Sequence, residues 1–266
     1  MAISRFKTST LAQGLPKFQD LWDGVSVLLP TPPVATPSLW LDANLASSFT
    51  YSSSNVISSW ADQSGNGRNA TQATVANQPT LVANVMNSKP VVRIDGTNDS
   101  LAWTEYQPGG DRSVFMVFRN ASNITSSGSF ALLSSSGSQF PMYVVGLGNQ
   151  TGGISGEVMA WLGVSSGGAQ IRGRFNGSTI TAGNHQLNFT QDSSYNLAVR
   201  FDKATYSTQA APAGDFGSTT YPGFINQITG ADGITLDVAE VLVYNRVLTG
   251  GEISTIESYF ATKWGV

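Results

Sequence analysis

From Ser38 onward the chain alternates short apolar runs with clusters of glycine, serine and asparagine. The runs are LWLDA (39–43), NVISSW (55–60), PVVRI (90–94), SVFMVF (113–118), FALL (130–133), MYVVGL (142–147), YNLAVRF (195–201) and DVAEVLVY (237–244). They are rich in β-branched and aromatic residues, and several alternate apolar with polar positions, the pattern of a half-buried antiparallel strand. Many short strands separated by turn residues predict an antiparallel β-sandwich. No fixed period is visible, which disfavours propellers and solenoids. The pattern changes once, at the C-terminus. Thr249 followed by Glu252 is a capping box, and Ile253, Ile256, Phe260 and Trp264 then recur at helical spacing, so a single terminal helix is predicted with one face packed on the sandwich.

The first 36 residues read differently. Phe6, Leu11, Leu15, Phe18, Leu21 and Trp22 are scattered among polar positions without a period, and residues 29–38 (LPTPPVATPS) carry four prolines. Proline removes backbone donors and holds its predecessor extended, so this stretch predicts a stiff spacer or strand-edge segment. The expected organisation is an extended arm and linker over 1–36, then one domain over 37–266. The arm is either a tail or strand laid on the domain, or a docking segment ordered by a partner through those six apolar side chains.

Composition narrows the chemistry. Only 12% of the 266 residues are charged, with 14 Lys+Arg against 17 Asp+Glu, a net charge of -3. Nucleic acid is excluded as an electrostatic partner, because such a protein needs a basic face. Cysteine is absent and histidine occurs once, as His185, so thiolate chemistry and most zinc and triad chemistry are excluded. His185 lies in TAGNHQLNFT and reads as a loop residue in a turn-like stretch. Glutamate occurs only at 105, 157, 240, 252 and 257, without the alternate spacing by which jelly-roll glycanases place two carboxylates, so no enzyme activity is expected. There is no run of about 18 apolar residues to span a membrane and no apolar stretch after the first basic positions to serve as a secretory signal.

Three segments resemble the LamG-like (concanavalin A-like) jelly-roll family. They are LWLDA (39–43) with WADQSGNGRNATQ (60–72), QPTLVAN (78–84) with KPVVRIDGTNDSLAW (89–103), and AEVLVYNRVLTGGEISTIESYFATKWGV (239–266). The resemblance frames residues 38–266 and implies an all-β, antiparallel jelly-roll sandwich. It also implies a possible structural calcium ion, for which Asp62, Asp95, Asp99, Asp237 and Glu240 are candidate oxygen ligands. The alternative is that these carboxylates cap turns and pair with Arg68 or Arg93. Carbohydrate is the ligand theme the resemblance implies, with sugar faces stacked on Trp103, Tyr106, Trp161 or Tyr221. The alternative for each aromatic is core packing.

The opening MAISRFKTSTLAQGLPKFQDLWDG resembles the N-termini of short virion structural proteins of tailed bacteriophages, especially those of marine and cyanobacterial hosts. That resemblance implies synthesis in a host cytoplasm, a place on the virion surface, and virion partners such as the major capsid protein. A homo-oligomer, by analogy a trimer, is then expected. Two functions follow: a capsid decoration (cement) protein gripping its neighbours with the arm, or a tail- or fibre-associated receptor-binding protein that holds host-surface glycans.

Overall fold

The computed structural model describes residues 31–106, 111–124, 129–133, 142–148, 158–163, 170–174, 180–194, 196–209, 221–225 and 235–266. Side chains are described for 31–104, 111–124, 180–194, 196–205, 223, 225 and 235–266. The compact unit that contains the strands begins at Val34 and ends at Val266.

In chain order the strands are β1 (Leu39–Asp42), β2 (Phe49–Ser53), β3 (Val56–Trp60), β4 (Ala70–Thr71), β5 (Thr80–Met86), β6 (Lys89–Ile94), β7 (Leu101–Tyr106) and β8 (Arg112–Asn120). Then come β9 (Ser129–Leu133), β10 (Met142–Gly148), β11 (Val158–Gly163), β12 (Gln170–Arg174) and β13 (Gly183–Gln191). The last are β14 (Leu197–Phe201), β15 (Ala204–Gln209), β16 (Tyr221–Ile225) and β17 (Leu236–Tyr244), followed by helix α1 (Gly250–Trp264). Neighbours pair in the order β15-β14-β13-β8-β17-β6-β5-β3-β4-β7-β16, with β1 also on β17 and β2 also on β3; β12-β11-β10-β9 form a second sheet. The register is antiparallel at β17–β8, β13–β8, β17–β6 and β1–β17. The fold is an all-β antiparallel sandwich with one C-terminal helix.

Strand β17 organises this layout. Along one edge it pairs with β8; along the other, Leu236–Val238 pair with β6 and Glu240–Val243 pair with β1. The register shifts between Val238 and Glu240, so Asp237 and Glu240, three apart in sequence, oppose Arg119 and Val117, two apart on β8. The bulge therefore puts both carboxylates on one face of the sheet. Every residue of β17 is buried, which explains its nearly continuous apolar text.

The terminal helix forms as its sequence predicts. Thr249 accepts a hydrogen bond from the Glu252 backbone N–H at 3.3 Å, and the Glu252 side chain accepts from the Thr249 N–H at 2.9 Å. Gly265, at φ 73°, closes the other end in the left-handed conformation that favours glycine. Ile256, Phe260 and Trp264 are fully buried. Phe260 meets Phe115 of β8 edge-on at 6.4 Å between centroids, and Asn188 of β13 donates to Glu257 at 3.0 Å. The helix therefore covers the face of β13-β8-β17 that carries Asn188, Phe115 and Glu240. On the opposite face Phe118, Leu187, Phe189 and Val199 are buried in the main apolar cluster.

Two loops hold the sheet ends. Asp62, after β3, accepts at Oδ1 from the Trp40 and Ser64 backbone N–H groups at 3.0 and 2.9 Å, and at Oδ2 from Ser64 Oγ and the Arg68 N–H at 2.8 and 3.0 Å. Gly65 and Gly67, at φ 88° and 71°, let this loop turn back on itself. After β6, Asp95 Oδ1 accepts from the Thr97 N–H at 2.7 Å, while Asp99 Oδ2 accepts from the Asp95 N–H at 3.0 Å. Among the described residues, no helix is long and apolar enough to cross a membrane.

Candidate functional site

Among the described residues the helix covers only part of its sheet face, and beyond it the register assembles a row of polar side chains that includes two partly exposed arginines. Thr80 of β5 opposes Arg93 of β6, which opposes Asp237 of β17, which opposes Arg119 of β8, which opposes Asn184 of β13. Residues directly opposite in antiparallel strands share a face, so the five lie side by side. At about 4.8 Å per strand the row is about 19 Å long. Asp237 is the buried centre, its side chain 3% exposed, whereas Arg93 and Arg119 are 39% and 34% exposed. Arg93 donates to Asp237 through Nε at 2.7 Å and Nη2 at 2.9 Å; Arg119 donates through Nη1 at 3.4 Å. The hydrogen bond to Asp237 raises the Arg93 guanidinium above its ordinary value against the opposing effect of burial, so Arg93 is a permanent cation.

One row away, under the helix, the same face carries a second charged group that is sealed. Lys263 of α1 donates from Nζ to Asp42 Oδ2 at 2.6 Å, Glu240 Oε2 at 2.7 Å and the Tyr259 hydroxyl at 2.8 Å. Glu240 also accepts from Trp40 Nε1 at 2.8 Å and the Tyr259 hydroxyl at 2.9 Å on Oε1, and from Trp264 Nε1 at 2.7 Å on Oε2. The three charged side chains are at most 2% exposed. Burial pushes the Glu240 carboxyl up to about 7, opposed by the Lys263 ammonium and reinforced by the Asp42 charge. Every ammonium proton has an acceptor. This group joins α1 to β1 and β17 and has nothing left to offer a ligand.

The expected ligand residues separate into places. Trp103 is buried (4% exposed), and a Cβ at Gly223 would stand 2.3–2.6 Å from its indole ring, so the glycine admits that ring. Trp103 is thus a packing residue. Tyr106 of β7 opposes Tyr221 of β16 in register, and Trp161 of β11 opposes Val144 and Arg172; the side chains of Tyr106, Tyr221 and Trp161 lie outside the described residues. So do the arm residues Phe6, Leu11, Leu15, Phe18, Leu21 and Trp22.

The five candidate calcium ligands are not gathered into one site. Asp62 spends its oxygens on its own loop and on β1, Asp95 and Asp99 cap the turn after β6, Asp237 faces guanidinium groups, and Glu240 faces Lys263. Among the described residues no cluster of three or more His, Cys, Asp or Glu side chains is placed to hold a metal ion. The five carboxylates do not make one calcium donor set, because they stand in separate places and Asp237 and Glu240 face cationic side chains.

His185 is not a loop residue. It lies in β13, 6% exposed, with Nδ1 2.7 Å from Asp202 Oδ2 and Nε2 donating to the Thr181 carbonyl at 2.9 Å. Its ring stacks on Phe201 at 5.0 Å. Both ring nitrogens are occupied, so it is a structural tie.

No protein-family model and no curated protein matches this chain. Solved structures do. The ligand-binding domain of botulinum neurotoxin serotype D in complex with N-acetylneuraminic acid superposes with a TM-score of 0.58 at 9% identity, covering 84% of this chain and 51% of that one. The binding domain of Paraclostridial Mosquitocidal Protein 1 gives 0.56 at 13% identity, covering 78% and 52%. Trypanosoma rangeli sialidase in complex with sialic acid gives 0.54 at 15% identity, covering 86% and 33%. This chain thus spans a third to a half of the solved chains. At these identities the likeness establishes the fold.

Proposed function

We propose that this chain is a non-enzymatic structural protein of a tailed-bacteriophage virion. In this reading residues 1–36 fasten it to the capsid as a decoration protein, and the jelly roll is displayed outward with a carbohydrate-binding face. The observation that carries the binding role is the uncovered polar row, where guanidinium groups and an amide stand on a rigid sheet with one carboxylate between them. Rigid strands hold such donors more accurately than loops do. The solved neighbours include domains described as ligand-binding or bound to sialic acid, which supports carbohydrate as the ligand class. The arm sequence MAISRFKTSTLAQGLPKFQDLWDG supports the virion attachment.

A second reading, a tail- or fibre-associated receptor-binding protein, is favoured by the binding domains among those neighbours. It keeps the same face and moves the docking partner of the arm. Deleting residues 1–30 leaves the unit beginning at Val34 intact, so the truncated chain is expected to keep its melting transition and lose incorporation into particles. Undiminished incorporation of a folded truncated chain overturns the arm's role. Immunogold labelling of intact particles separates the readings: gold on the head supports decoration, and gold on the tail supports the receptor-binding protein.

A further inference from the structure

We infer that the uncovered row recognises an acidic glycan, binding its carboxylate or sulfate through Arg93 and Arg119. The inference rests on the carbohydrate-binding reading and specifies its ligand.

Each guanidinium carries five N–H donors in a planar fork. Arg93 turns Nε and Nη2 to Asp237 and Arg119 turns only Nη1, and among the described residues neither guanidinium has another partner. Both arginines therefore keep donors open to solvent, and Asp237 fixes the direction of the rest. A guanidinium whose rotamer is already held loses less entropy on binding, which is the benefit of preorganisation. Planar forks match the two-oxygen edge of a carboxylate or sulfate.

Charge gives the sign of the ligand. Two guanidinium groups on one carboxylate leave a local charge of +1 on a chain whose net charge is -3. Asp95, just after β6, keeps its charge but turns its Oδ1 to the Thr97 and Asn98 backbone N–H groups of its own turn, away from the two guanidinium groups it does not pair with. A neutral sugar would meet Asn184 and Thr80 equally well and would leave the positive charge that Asp237 does not balance without a partner. The length of the row, about 19 Å, fits an oligosaccharide lying across the strands. Asn184 and Thr80, both half-buried at opposite ends, are placed to meet hydroxyls flanking the acidic group.

The arrangement differs from a stabilising surface ion pair in its asymmetry. Asp237 is satisfied by Arg93 alone, with two bonds, and the third bond to Arg119 is long. Arg119 adds little to that pairing, yet it is held beside it on the open face.

The test is calorimetric titration of the full-length protein with three probes: trigalacturonate, a chondroitin sulfate tetrasaccharide, and neutral maltotriose. The expected result is binding of one or both acidic probes, weakened at high salt, with at least about tenfold weaker binding in Arg119→Gln at an unchanged melting temperature. Should Arg119→Gln fail to fold, Arg93→Lys keeps the charge and removes the fork, and the same weakening is expected. The carboxylate and sulfate arms identify which oxyanion is held. Binding of maltotriose alone overturns this inference and leaves the carbohydrate reading standing. Acidic-probe binding that neither substitution alters also overturns it, by placing the site elsewhere. Failure to bind any of these probes, or any member of a broad glycan array, overturns both.

Discussion

Asp237 and Glu240 sit three residues apart on one strand and one face, yet they do opposite things. Glu240 is roofed by α1 and meets an ammonium, two indoles and a phenol, each aimed at one of its oxygens. Asp237, beyond the roof, meets two guanidinium groups that are each about one-third exposed. Both carboxylates are buried and both are paired with cations. What differs is whether the cation has donors left over and can reach solvent. A closed network of charges under a helix fixes where that helix docks; an open one presents oriented charge to something outside. The bulge at Ala239 makes the contrast possible, because it keeps both carboxylates on the same face despite their odd spacing.

The largest effect is expected on the sealed side. Lys263→Met removes the cation shared by Asp42 and Glu240 and leaves two buried carboxylates facing each other, at a cost of about 3–5 kcal/mol in urea unfolding. A loss below about 1 kcal/mol would show that the network is not closed as described.

Next comes the dependence on pH. The Glu240 carboxyl, at about 7 when folded against 4.5 ordinarily, binds its proton more tightly in the folded state. Stability from this group is fully present below about pH 4.5 and lost as pH rises through about 7. Asp99, pushed up to about 6 by burial, acts in the same direction between its ordinary 3.8 and 6. His185 does so too: burial opposes its proton, but hydrogen bonds to Asp202 and the Thr181 carbonyl outweigh that and raise it above 6.5. The melting temperature is therefore expected to fall from mildly acidic toward alkaline pH, as measured by differential scanning calorimetry. A melting temperature that climbs over the same interval would contradict the assignment of these three groups.

The smallest effect is expected on the open side. Arg119→Gln removes a partly exposed cation with one long contact, and its unfolding free energy should change by less than about 1 kcal/mol. A loss as large as that of Lys263→Met would make Arg119 a structural residue and erase the distinction between the two regions.

The sequence announces some of this and hides the rest for a physical reason. The terminal helix is legible because its cap (Thr249, Glu252) and its buried stripe (Ile256, Phe260, Trp264) are local. Runs such as SVFMVF and DVAEVLVY are legible because both of their faces are buried. Strand β13 is not, because Asn184, Gln186 and Asn188 alternate with His185, Leu187 and Phe189 and make GNHQLNFTQ look like a turn. The polar positions have distant partners: Asn188 meets Glu257, 69 residues away. Pairing of a candidate carboxylate with Arg93 is among the alternatives the sequence offers, and Asp237 takes it, but the rest of the row is hidden for the same reason, since Asp237 meets Arg119 across 118 residues. Only the pairing order of β6, β17 and β8 brings them together. Glu240 stands out in an apolar strand, but its meaning depends on Lys263, one helix away.

The most direct measurement is a map of the ligand on the protein. Side-chain Nε–Hε resonances of arginine, followed by NMR as an acidic oligosaccharide is added to the full-length chain, report on each guanidinium separately. The account predicts that the Arg93 and Arg119 resonances move together and saturably, with backbone changes concentrated in β6, β8 and β17. Changes centred on β7 and β16, where Tyr106 opposes Tyr221, with both arginine resonances unmoved, would contradict it.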